Sequence, residues 1–205
     1  MLCLQLGSGW KHKRPFRESQ LEVLRWSKGR IKIQLPGTDP RGVSAALAYS
    51  IVKVLSHDRG LLLHASCLIR DKMAYLFLGR SGAGKSTLAR NARGFECAHD
   101  DNVAVRSMRG RWWAYGVPTL DNSGRPGQNI AAEIGGLCLI EKSGSLRKNP
   151  LSRIAALREM PEHVIIPVKD PATEKNTFET LFSLLAEVNI WRLGFRRNSD
   201  VGAVI

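Results

Sequence analysis

One run of nine residues, Gly79-Arg80-Ser81-Gly82-Ala83-Gly84-Lys85-Ser86-Thr87, has the types and spacing to hold a polyphosphate. Gly79, four residues, then Gly84-Lys85-Ser86 is the Walker A pattern. Its glycines let the backbone curl so that consecutive N–H groups point inward at phosphate oxygens. A helix starting at Lys85 aims the positive end of its dipole at the same point. Lys85 then reaches the β- and γ-phosphates of a nucleotide, and the Ser86 hydroxyl is a ligand for Mg²⁺. From average residue frequencies the four fixed positions coincide by chance in about one chain in a hundred of this length.

Two carboxylates, Asp100 and Asp101, end an apolar segment about fifteen residues after Lys85. That position suits the strand beside the phosphate-loop strand. One carboxylate there serves Mg²⁺ through water, and the other is free to accept a proton from an attacking hydroxyl. The bland alternative is a solvated turn, where Asp pairs are common. His64 stands alone in the apolar run Leu62-Leu63-His64-Ala65-Ser66, and by itself reads as a satisfied core histidine.

The elements that must position these groups follow from periodicity and turn chemistry. Leu21–Leu24 and Ile31, Ile33 and Leu35 read as short strands ending at Pro36-Gly37. Thr38-Asp39-Pro40 opens a helix with an apolar face of Val43, Ala46, Leu47, Ile51 and Leu55, stopped by Asp58-Arg59-Gly60. Leu61–Ile69 and Met73–Leu78 flank Arg70-Asp71-Lys72 as a hairpin that feeds the glycine-rich loop. A helix from Lys85 to about Ala92 and a strand Phe95–Ala98 come next, then a second hairpin, Val103–Met108 with Trp112–Val117, around Arg109-Gly110-Arg111. Trp112 and Trp113 alternate across that hairpin, one toward a core; an interface is the other use for them. Residues 118–130 hold two prolines and two glycines and read as a loop, with Arg125 a phosphate contact or an ordinary surface cation. Ala131–Glu141 is a strand, Asn149-Pro150 caps a helix to about Arg158, Thr173 or Glu174 starts another to about Glu187, and Ile190–Phe195 is a last strand.

The resulting expectation is an α/β fold with a mixed sheet and several hairpins, in one domain over residues 1–205. Residues 1–60 would be strands and a helix packed on a core of residues 61–205.

Composition limits the function classes. With 43% hydrophobic and 24% charged residues the chain can bury an ordinary core. No apolar run approaches a membrane span, and the amino terminus lacks the long apolar stretch of a secretory signal. Cys3, Cys67, Cys97 and Cys138 are scattered, without a CxxC pair, so they read as buried thiols in a reducing, cytoplasmic setting. Lys and Arg number 31 against 18 Asp and Glu, a net charge of +13. Eight of these cations (Lys11, Lys13, Arg14, Arg17, Arg25, Lys28, Arg30 and Lys32) fall between positions 11 and 32, facing only Glu18 and Glu22. Further groups are Arg106, Arg109 and Arg111, and Arg192, Arg196 and Arg197. No nucleic-acid-binding motif accompanies them, so nucleic acid is not the expected partner.

With the phosphate loop and the Asp pair in view, Leu63 through Val105 resemble the catalytic core of the HPr kinase/phosphorylase family and its smaller kinase-like relatives. The segment LHASCLIRDKMAYLFLGRSGAGKSTLARNARGFECAHDDNVAV is similar to that family's order of His-containing strand, hairpin, phosphate loop, helix, Arg-Gly, strand and Asp-Asp-x-Val. The resemblance implies a P-loop kinase core that binds ATP and Mg²⁺ and phosphorylates a serine hydroxyl on a small protein. It implies proton transfer by Asp100, metal binding or support by Asp101, and a place for His64 in the active site. Glu133-Ile134-Gly135-Gly136-Leu137 is similar to the family's Glu-Ile-Arg-Gly-Leu, which puts Glu133 among the Mg²⁺ ligands, although Gly135 stands where the family has Arg. The family's separate amino-terminal domain and its carboxy-terminal phosphorylase region have no counterpart in this sequence.

The expected activity is ATP- and Mg²⁺-dependent phosphorylation of a hydroxyl, most simply serine, in a peptide or small protein. A nucleotide-binding ATPase that switches a partner without a phospho-acceptor is the alternative. Homo-oligomerisation is open.

Overall fold

The computed structural model describes residues 3–6, 22–27, 30–35, 40–166 and 171–205. The predicted turn at Pro36-Gly37, the helix-start residues Thr38 and Asp39, and Lys11, Lys13, Arg14, Arg17, Glu18, Leu21 and Lys28 lie outside the described residues. Near the amino terminus, β1 (Cys3–Leu6), β2 (Glu22–Ser27) and β3 (Arg30–Leu35) form a three-stranded sheet, with β3 central, parallel to β1 and antiparallel to β2. Helix α1 (Pro40–Ser56) follows. Its buried stripe is Ala46, Tyr49, Val52 and Leu55; Val43, Leu47 and Ile51 lie beside it, half-buried.

The remaining strands make an eight-stranded mixed sheet, and the fold is α/β as the sequence predicts. Strand β4 (Gly60–Arg70) and β5 (Met73–Leu78) pair antiparallel about a tight turn in which Asp71 and Lys72 have φ of 52° and 65°. Two positive φ values in succession match the right-handed twist of the flanking strands, which is why so short a connection suffices. Helix α2 (Lys85–Asn91), β6 (Glu96–His99), β7 (Asn102–Met108) and β8 (Arg111–Gly116) come next. Strand β9 (Ala131–Lys142), β10 (Arg147–Pro150), α3 (Arg153–Glu159), a 3-10 turn at Met160–His163, α4 (Pro171–Glu187) and β11 (Ile190–Phe195) complete the unit. The cap of α3 is Ser152, whose side chain accepts from the Ala155 N–H, and Asn149-Pro150 closes β10 instead.

Strand β4 organises the sheet because its partners change halfway. Gly60–His64 pair with β7, whereas Ala65–Arg70 pair with β5 on one edge and Cys67–Ile69 pair with β6 on the other. The sequence reading places the Asp pair on the strand beside β5. The structure corrects this: β6 pairs with β4, and the neighbours of β5 are β4 and β9. Because β8 also pairs with β9, the ladder β9-β5-β4-β7-β8-β9 closes on itself.

Burial follows the period of two. Leu61, Leu63, Ala65 and Cys67 of β4 enter the main core with Ala156, Met160, Leu181, Leu184 and Leu185 from α3, the 3-10 turn and α4. On the other face Leu68 and Phe77 pack with Leu88 of α2, Phe195 and Val201. Leu62 packs under Val52 and Leu55 of α1. Between Leu62 and Leu68 that second face is interrupted by His64 and Ser66. Trp112 is buried and donates its Nε1–H to Glu187 at 2.8 Å, the core use of the hairpin. No helix among the described residues is long and apolar enough to cross a membrane.

Candidate active site

The glycine-rich loop leaves β5 at Leu78 and enters α2 at Lys85. Each glycine of the pattern has its own reason. A Cβ on Gly79 would lie 2.7 Å from Ile140 and 2.9 Å from Ala83. Gly84 has φ of 105°, where a side chain is strained, and a Cβ there would lie 2.8 Å from the Phe195 ring. Gly82, with φ of 77°, needs only the positive angle. Lys85 is buried and its Nζ donates to the Gly79 carbonyl at 2.7 Å, so the ammonium is folded back along its own loop. Burial pulls its pKa below the ordinary lysine value, partly opposed by the negative charge of Asp101 and Asp100.

The Asp pair reaches the same place from the opposite edge of β4. Leu78 is the partner of Ala65, and the Ala65 N–H donates to the Asp101 carbonyl at 3.0 Å. With neighbouring strands about 4.8 Å apart, the end of β5 and the Asp pair stand about 10 Å from each other across one strand. His99 makes the turn between β6 and β7. Its Nδ1 accepts from the backbone N–H of Asp101 at 2.9 Å and of Asn102 at 3.0 Å. Nε2 must then carry the proton, and it donates to the Thr119 carbonyl at 2.9 Å. The imidazole is buried, so these bonds fix where the two aspartates stand.

His64 and Ser66 project from β4 on one face, each toward one carboxylate. His64 Nδ1 lies 3.0 Å from Asp101 Oδ1, and the Ser66 hydroxyl donates to Asp100 Oδ1 at 2.5 Å. Asn122, from the 118–130 loop, donates weakly to Asp101 at 3.5 Å. His64, Ser81, Gly82, Gly84, Lys85, Ser86, Thr87, Asp100 and Asp101 border one cleft of about 550 Å³. That volume lies within the usual range for small-molecule sites. Gly79 and Ala83 support the loop from behind, and Arg80 points away from it, bidentate on Glu162 at 3.0 Å for both bonds.

Glu133 is elsewhere. It pairs in register with Met73 at the start of β5, five residues and about 17 Å from the phosphate loop. Its carboxylate faces Arg111 at 2.8 Å. The expected metal ligand is therefore at the wrong end of a parallel strand. Gly135 and Gly136 answer to packing: a Cβ on Gly135 would lie 2.9 Å from the Tyr75 ring, and one on Gly136 would lie 1.9 Å from the Trp191 ring. Tyr75 thus covers the place from which a longer residue at 135 would project.

The sequence reading missed Ser66, His99, His163 and Glu162. Ser66 was within reach, since the period of two from His64 puts it on the same face. The other three have no such signal. His163 ends the 3-10 turn, is buried, and has its pKa lowered by burial and by the positive charges of Lys85 and His64. Among the described residues no group of three or more His, Cys, Asp or Glu gathers as a metal cage. Oxygen donors bordering the cleft include the Ser86 hydroxyl and the aspartates, a hard set suited to Mg²⁺ that also keeps water and phosphate oxygens. Cys67 and Cys138 are buried thiols, their pKa raised by burial, to about 12 for Cys138; Cys97 is half-buried and raised to about 11.

No family model matches this chain, and no curated protein matches it. Among solved structures, the Hpr(Ser) kinase/phosphatase from Coxiella burnetii is similar with a TM-score of 0.35 at 15% identity, over 65% of this chain and 84% of that one.

Proposed function

We propose that this chain transfers the terminal phosphoryl group of a nucleoside triphosphate, ATP being the natural choice, to a hydroxyl, most simply serine, of a peptide or small protein. The observation that carries it is the convergence of a complete phosphate loop and two carboxylates, each with its own side-chain partner, on one cleft. The loop N–H groups and Lys85 hold the phosphates. Ser86 and Asp101 would hold Mg²⁺, which supplies neutralisation of charge on the transferring group.

Asp100 is the proton acceptor in this reading. Ser66 holds one of its oxygens, leaving the other for an acceptor hydroxyl. Asp101, whose Oδ1 is held by His64 Nδ1 at 3.0 Å, takes the metal side in this reading. As the hydroxyl oxygen bonds to the γ-phosphorus, its proton passes to Asp100 and the bond from that phosphorus to the β-phosphate oxygen breaks. The products are a phosphate ester and a nucleoside diphosphate. Positioning and charge neutralisation account for most of such catalysis, so this sparse set of groups is enough.

The test is incubation with Mg·ATP and a serine-peptide library, read by mass spectrometry, with Asp100→Asn alongside. Phosphate on serine that vanishes in the variant supports the reading. ATP loss with no modified peptide, unchanged in Asp100→Asn, would instead assign the switch-like ATPase.

A further inference from the structure

Asp100 borders two cavities. One is the cleft of the phosphate loop; the other, about 150 Å³, lies toward the 118–130 loop and is bordered also by Cys97, Asp121, Arg125 and Gln128. We infer that this second cavity is the entry subsite for the acceptor, and that it takes a small polar alcohol of serine size, hydroxyl toward Asp100 and a polar or anionic end toward Arg125. The inference rests on the phosphotransfer reading above.

Three observations carry it. A proton acceptor shared by two cavities is the group that a donor in one and an acceptor in the other must both approach. None of the phosphate-loop residues that border the cleft borders the smaller cavity, so the two ligands would not compete for space. Its volume is well below the several hundred Å³ of sites for nucleotides and other larger ligands, which limits the occupant to one small alcohol or a single side chain.

The cavity is also built, not a gap beneath a slack loop. The Gln128 N–H donates to the Ala98 carbonyl at 2.8 Å, and the Gly127 N–H to Val117 at 3.1 Å. Gly127 lies so flat on the sheet that a Cβ there would stand 2.4 Å from both the His99 ring and the Val117 carbonyl. Asp121 Oδ1 accepts from the Ser123 N–H and the Arg125 N–H, both at 2.8 Å, and from the Ser123 hydroxyl at 2.6 Å. Arg125 leans back on Ser123 at 2.8 Å and on Asp121 at 3.5 Å, leaving its outer N–H groups for a ligand. Asp100 and Asp121 are the acidic walls, Arg125 the basic one, and the Gln128 amide the neutral polar one. The set fits an occupant that carries both donors and acceptors.

In the subsite the alcohol O–H gives its proton to Asp100 as its oxygen bonds to the γ-phosphorus, and the nucleoside diphosphate departs with the electron pair of the broken P–O bond. A free hydroxy-amino acid and a serine residue in an extended peptide share this chemistry.

The full chain with Mg·ATP is given free L-serine in one arm and short blocked serine peptides in the other, and phosphate esters are read by mass spectrometry. An ester in either arm, with KM for that probe raised about tenfold or more by Gln128→Trp and by Arg125→Ala while Mg·ATP affinity holds, is the expected result. Which arm reacts identifies the source. Arg125 is an exposed loop residue, so its variant keeps the test open if Gln128→Trp misfolds. Ester formation with KM unmoved by both variants overturns the subsite and leaves the kinase standing. No ester in either arm overturns the inference, because the cavity must admit at least one of the two probes. The serine-peptide library assay above, with Asp100→Asn as control, decides the phosphotransfer reading separately.

Discussion

His64 Nδ1 and Asp101 Oδ1 stand 3.0 Å apart, joining the midpoint of β4 to the turn between β6 and β7. The pair sits where β4 changes partners, so it ties together two strands that meet β4 end to end along one edge. Replacing His64 by Ala leaves the Asp101 carboxylate, among the described residues, with only the long hydrogen bond from Asn122. We expect weaker Mg²⁺ dependence, with the metal concentration for half-maximal activity rising about tenfold. A titration of activity against Mg²⁺ reads it, and an unchanged midpoint would argue that His64 does not steady the metal carboxylate.

Lys85 gives a binding prediction that needs no acceptor. At about 100 times its Kd, Mg·ATP should stabilise the fold by roughly 2.7 kcal/mol through mass action. Lys85→Ala should remove most of that gain, seen as loss of the Tm rise in thermal melts. A full rise in the variant would separate Lys85 from the phosphates.

The two aspartates should divide by role. Asp100→Asn keeps size and the Ser66 contact, so nucleotide affinity should stay within about threefold while the transfer rate falls by about 10²–10⁴. Asp101→Asn should raise the Mg²⁺ requirement as well. Rapid-quench single turnovers distinguish the two patterns, and identical behaviour of both variants would contradict the division.

His99→Leu should be costly for the fold itself. It strands the N–H groups of Asp101 and Asn102 and the Thr119 carbonyl in a buried place. A loss of about 3 kcal/mol in urea unfolding is expected. A loss under about 1 kcal/mol would mean that water replaces the ring.

His163 sets a pH dependence. Burial and the charges of Lys85 and His64 hold its pKa below the ordinary 6.5. The unfolded chain therefore binds that proton at a higher pH than the folded one. Stability on this account is complete above about pH 6.5 and is lost as the pH falls from there toward the folded value. Comparing urea unfolding of the parent and His163→Gln between pH 7.5 and 5.5 tests the sign: the parent should lose more than the variant.

Much of this architecture is legible in the residues because local chemistry decides it. Asp71-Lys72 and Arg109-Gly110 have the turn chemistry of two-residue hairpins, and all four take positive φ. The glycine-rich loop is legible for the same reason, since its φ values and close contacts exclude side chains at Gly79 and Gly84. What stays hidden is long-range. Nothing near Glu133 in the sequence says that β9 runs parallel to β5 with Glu133 beside Met73, the end away from the loop. Nothing near Met160–His163 says that this turn brings a histidine toward Lys85. β10 is missed because Arg147–Pro150 is polar and short; it forms by pairing with β11.

The closed ladder of five strands has one more implication. In an open sheet, an edge strand can slide by one register step and disturb a single neighbour. Here a slip of β4 would have to be matched around the whole circuit before hydrogen bonding could resume. The relative heights of Gly79, His64 and Asp101 are thus a matter of counting residues around a loop of strands. Insertions in the connecting segments can vary without changing that count, so the chemistry is insulated from drift elsewhere in the chain.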